Sequence, residues 1–217
     1  MRYQDVCIDA IGYVLPERRV TSAALEKLLR PVYDRLHLPE GRLELMTGIR
    51  ERRFWRKGML PTEASAGAAR RVLERAGVGA AEVECLLNCS VSRDFVEPAT
   101  STAVHRLLKL PGHALNFDIS NACLGVLTGM MMLANMIQLG QVKTGLVVAA
   151  ENGGPLVDST IETLNQDKAL TRRGIKDQIA SLTIGSAATA VLMRHASVSS
   201  GGHALLGGAH HADTTNN

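Results

Sequence analysis

The eight residues Asp118-Ile-Ser-Asn-Ala-Cys-Leu-Gly constrain the fold more than any other stretch of the chain. Ahead of them, Ala114-Leu-Asn-Phe-Asp is short and apolar and reads as a buried strand. Behind them an apolar run reaches Leu139 and stops at Gly140, the pattern of a helix with a glycine terminus. Cys123 therefore sits where a strand turns into a helix. The first N–H groups of a helix are unpaired and carry partial positive charge. That environment favours a thiolate, the nucleophilic form of cysteine. A buried cysteine packing as a small hydrophobe fits the same position.

The remaining chain alternates strands and helices. Val6 to Val14 reads as a first strand, ended by Pro16. Thr21 or Ser22 caps a helix toward Leu36, in which Pro31 predicts a break. Residues 37–61 are irregular and basic, with Arg50, Arg52, Arg53, Arg56 and Lys57 around Phe54 and Trp55. A helix from Glu63 to Ala76 stops at Gly77, a strand spans Val83 to Cys89, and Ser90 to Glu97 is a polar loop. Pro98 suits the start of a helix running to Leu108. Strand 114–119, helix 123–139 and strand Thr144–Ala150 follow. Residues 151–180 form a charged excursion with weak helical periodicity, and Ile184 to Met193 is a last apolar strand. The tail from Ser199 to Asn216-Asn217 carries no pattern and supplies no closing element. This order predicts an α/β fold with a mostly parallel sheet covered by helices.

Composition narrows the function classes. Hydrophobic residues make up 46% and charged residues 21%, the balance of a soluble globular domain. Aromatic residues, at 3%, are too few for base-stacking platforms, and a net charge of +3 is too small for a polyanionic partner; no nucleic acid is expected. No signal-peptide pattern opens the sequence, so reduced cysteines in a cytoplasm are expected. Cys85 and Cys89 lie four apart on one side of a strand, and with no further ligands nearby they read as packing residues; no metal is expected. The apolar run Leu124 to Ile137 holds Thr128 and Asn135 and is short for a membrane span, which predicts a helix buried on all sides. Met130 to Met132 fit adaptable core packing. Gly125 and Gly129 read as a close approach to a neighbouring element.

Five motifs, in order, resemble the thiolase superfamily of condensing enzymes: Leu15-Pro16-Glu17, Thr47-Gly-Ile-Arg-Glu-Arg-Arg, Phe117-Asp118 through Ala122-Cys123-Leu-Gly, Leu146-Val-Val-Ala-Ala-Glu151, and Ile184-Gly-Ser-Ala-Ala-Thr-Ala. Residues 1–217 resemble the N-terminal half of a β-ketoacyl-acyl-carrier-protein synthase III-like enzyme. Ser90-Val-Ser-Arg-Asp-Phe-Val-Glu97-Pro and Pro31-Val-Tyr-Asp-Arg-Leu36 are most similar to the olefin-biosynthesis thiolases.

That resemblance implies a layered αβαβα fold, of which this chain is one βαβαβαββ half, and a homodimer joined through strand 114–119. It implies an acyltransferase performing a Claisen condensation. Two fatty acyl-CoA molecules join head to head into a β-keto acid through an acyl-Cys123, whose own N–H serves the oxyanion hole. It assigns Glu97 the removal of the α-proton of the second acyl chain, a task for a desolvated carboxylate. An exposed carboxylate at a helix start is the plainer reading of Glu97. The family's catalytic His and Asn belong to a C-terminal half absent from this chain. Arg42 and Met46 stand where synthase III enzymes carry a nucleotide-clamping Trp and Arg. Arg50 and Trp55 are therefore the substrate-binding candidates, although the same loop also reads as a solvated basic surface. Beyond acyl-CoA or acyl-carrier protein as substrate, no cofactor is implied. Two alternatives remain: a decarboxylative synthase III of fatty-acid or polyketide synthesis, and a non-catalytic acyl-binding or assembly half.

Overall fold

A computed structural model of the chain describes residues 1–215; the Asn216-Asn217 end of the patternless tail lies outside the described residues. In chain order the elements are β1 (Val6–Val14), β2 (Arg18–Thr21), α1 (Ser22–Leu28), α2 (Arg30–Arg35), α3 (Arg42–Thr47) and β3 (Glu51–Phe54). Then come α4 (Pro61–Ala76), β4 (Cys85–Asn88), α5 (Thr100–Leu108), β5 (Leu115–Asp118) and α6 (Gly125–Gln138). The last are β6 (Thr144–Glu151), α7 (Gly154–Gln166), α8 (Gly174–Leu182), β7 (Ala187–His195) and β8 (His203–Ala204). They form two compact units. One holds Met1–Tyr13, Pro61–Ala150 and the chain from Ala188, and the other Val14–Leu60 and Glu151–Ala187.

Among the described residues, the first unit is built on a six-stranded sheet of order β5-β4-β6-β7-β1-β8. β4 pairs in parallel with both β5 and β6, and all four of its residues are buried. A parallel strand covered on both faces is apolar throughout rather than alternating, which is why Cys85-Leu-Leu-Asn lacks a period of two. Cys85, Leu87 and Cys89 pack in one core with Leu133 and Ile137 of α6 and Val147 of β6.

Two expectations for this unit are corrected. Helix α6 is not buried on all sides: Gly125, Gly129, Leu133, Ala134 and Ile137 face inward, while Leu127 and Met132 are exposed. The methionines divide accordingly, with Met130 against the core and Met132 toward solvent. The tail also has structure. β8 pairs antiparallel with β1, Cys7 opposite Ala204 and Ile8 opposite His203, and Arg2 bridges to Gly207. A two-residue strand is too short to show a period, yet it covers the backbone groups of an edge.

In the second unit, Thr21 caps α1 by accepting from the Ala24 N–H at 3.1 Å. The expected break falls at Leu29, and Pro31 stands in the first turn of α2, where its missing N–H costs no helical bond. Residues 37–61 are less irregular than their composition implies: they contain α3, and β3 forms a ribbon with β2. The charged excursion resolves into α7 and α8.

Glu26 is the buried anchor of this unit. Its carboxylate accepts from the Tyr33 hydroxyl at 3.1 Å and from the N–H groups of Gly41 and Leu43, both at 2.7 Å. It thereby caps α3, whose own N-cap residue, Gly41, offers no side chain. Replacing Glu26 with Ala leaves these donors without an acceptor. The substitution should destabilise the protein by about 2–4 kcal/mol, read as a lowered denaturant midpoint in the complete protein. A midpoint unchanged from wild type would remove Glu26 from the structural account.

Candidate active site

The chain reaches Cys123 from the C-terminal end of β5. Ile119 N–H donates to Asn88 O at 2.8 Å, extending the β4–β5 pairing by one step. The backbone then reverses. Ala122 takes a left-handed φ of 43°, a conformation that costs a residue with a Cβ about 1–2 kcal/mol. Residues Ala122–Leu124 form a single 3₁₀ turn leading directly into α6. Leu124 N–H donates to Asn121 O at 2.9 Å and Gly125 N–H to Ala122 O. The Cys123 N–H makes no such bond among the described residues. Asn121 also donates through Nδ2 to Thr128 Oγ1 at 2.8 Å, tying the turn to the first turn of the helix.

Two glycines set how closely α6 lies on β4. A Cβ at Gly125 would meet Cys89 O at 2.5 Å, and one at Gly129 would meet Cys89 Sγ at 2.5 Å and Val147 Cγ1 at 2.9 Å. The close approach read from the sequence is thus present, with Cys89 as its counterpart.

The four thiols stand apart in character. Cys7, Cys85 and Cys89 are buried and Cys123 is exposed. Burial pushes the Cys85 thiol up to about 11. Burial, reinforced by the nearby Asp118 charge and opposed by the Gly129 N–H, pushes Cys89 up to about 12. Both stay protonated and unreactive near neutral pH.

Glu97 lies in the same unit as Cys123, in the loop before α5. It is exposed, and the Glu97–Pro98 peptide is cis. Helix α5 starts at Thr100, two residues later than Pro98 implied. The loop is held at both ends. Ser90 Oγ donates to Asn88 Oδ1 at 2.9 Å and accepts from Ala150 N–H at 2.8 Å, and Asp94 accepts from Thr62 N–H at 3.3 Å. Burial raises the Asp94 carboxyl above its ordinary range. The Asp118 carboxylate accepts from the N–H groups of Thr100 and Ser101 at 2.9 and 2.8 Å.

The two substrate-binding candidates belong to the second unit and differ from each other. Arg50 is exposed, 3.7 Å from Glu44. Trp55 is 7% exposed, and its indole N–H donates to Glu151 O at 3.0 Å, so it offers little ring surface to a nucleotide. A basic cleft of ≈ 590 Å³ that sequence reasoning missed is lined by Leu38, Pro39, Arg42, Arg172, Arg173 and Lys176. Arg172 donates to the carbonyls of Leu36 and His37, while Arg42 Nε is buried without a partner. Its two groups of residues, around Arg42 and around Arg172, lie far apart in sequence, so no local motif could have announced it. Among the described residues no group of His, Cys, Asp and Glu has the arrangement of a metal site, and no helix is long and apolar enough to cross a membrane.

An exposed cysteine is thus carried from a sheet-edge strand through a left-handed turn onto a helix that starts at a buried glycine. A family model described as 3-oxoacyl-[acyl-carrier-protein (ACP)] synthase III matches residues 117–213. Over the length it spans, the chain has a thiolase-like fold and is similar to this family. It is 38% identical over 213 residues to the acyl-CoA:acyl-CoA alkyltransferase of Shewanella oneidensis, a match covering 97% of this chain and 60% of that one. It is 33% identical over 153 residues to the β-ketoacyl-[acyl-carrier-protein] synthase III of Koribacter versatilis, covering 70% of this chain and 44% of that one. The crystal structure of a Xanthomonas campestris OleA variant bound with cerulenin superposes with a TM-score of 0.88 at 31% identity, covering 93% of this chain and 60% of that one. The chain thus spans about 60% of the length of the first of these curated relatives.

At pH 7 a thiol-directed alkylating agent should modify Cys123 in the folded, complete protein and leave Cys85 and Cys89 unmodified until denaturant is added. Peptide mapping by mass spectrometry reads the outcome; modification of Cys89 ahead of Cys123 would contradict the burial and the raised thiol just described.

Proposed function

We propose that this chain is the cysteine-bearing half of an acyltransferase that joins two fatty acyl-CoA molecules head to head into a β-keto acid. The observation that carries the reading is Cys123, the exposed thiol of four, on a strand–turn–helix junction. Its thiolate attacks the carbonyl carbon of the first acyl thioester, CoA leaves as its thiolate, and an acyl-cysteine remains. The Cys123 N–H lies at the helix start, where it can donate to the oxyanion of the tetrahedral intermediate.

The second step needs a carbanion. Glu97 removes the α-proton of the second acyl-CoA, and that carbon attacks the acyl-cysteine and releases the Cys123 thiolate; the β-ketoacyl-CoA so formed is hydrolysed by water to the β-keto acid and free CoA. Glu97 does this in the site of a second copy of the chain, where it leaves water. A C-terminal half supplies the His and Asn that complete the site. The phosphates of CoA fall to Arg50 and to the basic cleft around Arg42. The relatives support this assignment of substrate: two curated ones are named acyl-CoA:acyl-CoA alkyltransferase, and the X. campestris OleA was crystallised with lauric acid and lauroyl-CoA. The similarity to synthase III enzymes favours a second reading, in which malonyl-carrier protein loses CO₂ to generate the carbanion and Glu97 has no role.

In the complete enzyme, acyl-CoA should add one acyl mass to the wild type and none to Cys123→Ser. Glu97→Gln should still acylate Cys123, while β-keto product formation falls by about 10²-fold or more. Wild-type condensation by Glu97→Gln, or preference for malonyl-carrier protein, would hand the assignment to the decarboxylative reading.

The sheet order supports a homodimer. β5 is an edge strand whose Leu115 and Phe117 are exposed, whereas β8 covers the other side of β1. An uncovered edge pairs with another strand. Phe117→Asp in the complete enzyme should halve the mass seen by sedimentation; an intact dimer would place the interface elsewhere.

A further inference from the structure

Helix α5 begins without a local cap. Its N-cap residue, Ala99, makes no side-chain bond, so the first N–H groups must find an acceptor elsewhere. They find it on β5. Asp118 Oδ2 accepts from Thr100 N–H at 2.9 Å and Oδ1 from Ser101 N–H at 2.8 Å, one carboxylate oxygen for each donor. Ser101 Oγ adds a second link to the same strand through Asn116 Oδ1 at 3.3 Å. A negative group at a helix N-terminus is favoured by the helix dipole as well as by the two bonds.

The place of this carboxylate in the chain gives it a further role. Glu97 lies three residues before Thr100, and Cys123 lies five residues after Asp118. One side chain therefore ties the helix that ends the Glu97 loop to β5, a strand that its pairing with β4 already holds in place. The bonds of the Asp118 carboxylate are to the backbone of Thr100 and Ser101. We propose that Asp118 is a positioning residue for the condensation step, holding the Glu97 loop in register with strand β5. This rests on Glu97 being the base, as argued above. Because β5 is also the edge assigned to the two-fold contact, the anchor aligns Glu97 with the surface across which it would reach.

Asp118→Asn keeps the shape of the side chain but replaces one acceptor oxygen by a donor, so one of the two helix N–H groups loses its partner. Thr100→Pro tests the other side of the bond. It deletes the Thr100 N–H while suiting the first helical position, and Ala99 already has the extended backbone (φ −50°, ψ 138°) that precedes a proline. In the complete enzyme each change should slow β-keto product formation by about 10–100-fold, the scale of a small misplacement of a catalytic group. Acylation of Cys123 should stay within about threefold of wild type by the same reasoning. On a Glu97→Gln background, Asp118→Asn should add almost nothing, because a residue acting through Glu97 has nothing left to position. Full additivity of the two losses, or equal loss of acylation and condensation in both Asp118→Asn and Thr100→Pro, would overturn the Asp118 assignment alone. Wild-type condensation by the Glu97→Gln enzyme would overturn the reading of Glu97 and this proposal with it.

Discussion

How closely helix α6 can lie on strand β4 governs everything at the cysteine. The contact at Gly125 is with a backbone carbonyl, Cys89 O, which cannot swing aside. The contact at Gly129 is with Cys89 Sγ and Val147, side chains that can shift a little. Gly125 is therefore the stricter requirement, and it lies two residues from Cys123. Drawing the helix start this close to the strand end leaves only residues 119–124 to reverse the chain. The left-handed Ala122 follows from that shortage of length. Strain of this kind persists only where the surrounding packing over-determines the backbone, and the buried face Gly129, Leu133, Ala134 and Ile137 supplies the packing.

A second regularity is the use of carboxylates from distant parts of the chain to satisfy backbone N–H groups. Asp118 serves α5, Glu26 serves α3, Asp94 serves the first turn of α4, and Glu84 accepts from the N–H groups of Lys143 and Thr144 ahead of and at the start of β6. Buried or half-buried backbone donors need partners, and here tertiary structure provides them where local capping does not. Each such bond also fixes the register between two elements. The start of α5 thus depends on β5, and the path of the loop before α5 depends on both.

This explains which parts of the fold were legible in the sequence. β1, the Thr21 cap, the helix over 61–76 and the strand–cysteine–helix junction are announced by local signals: alternation, a hydroxyl cap, a glycine stop. The start of α5 is not, because its cap is Asp118, 18 residues away in sequence. β8 and β3 have two and four residues, too few for a period to emerge. The all-round apolar character of α6 was read as complete enclosure, although an exposed apolar face has the same sequence. Cys123 and the loop of Glu97 stand in motifs visible in the sequence. The basic cleft is not visible there, since Arg42 meets Arg172, Arg173 and Lys176 only through folding. Trp55 reads in the sequence as a substrate-binding candidate, and in the structure it is buried.

The exposed face of α6 bears on the chemistry as well as on assembly. Leu124 and Leu127 near Cys123, Leu115 and Phe117 on β5, and Phe95 and Val96 next to Glu97 are all exposed, with Val96 reaching 81%. Covering such side chains is worth about 1.5–3 kcal/mol each, so a second copy or a C-terminal half laid over them would be held strongly. Their positions matter more than their sum. Phe95 and Val96 immediately precede Glu97 in sequence, so a surface that covers them comes close to Glu97 as well. A carboxylate withdrawn from water is a stronger base than one left in it. The apolar residues of the loop would then serve two ends of the function proposed above through one contact: they fasten the loop into another surface, and they thin the water around the carboxylate assigned to the α-proton.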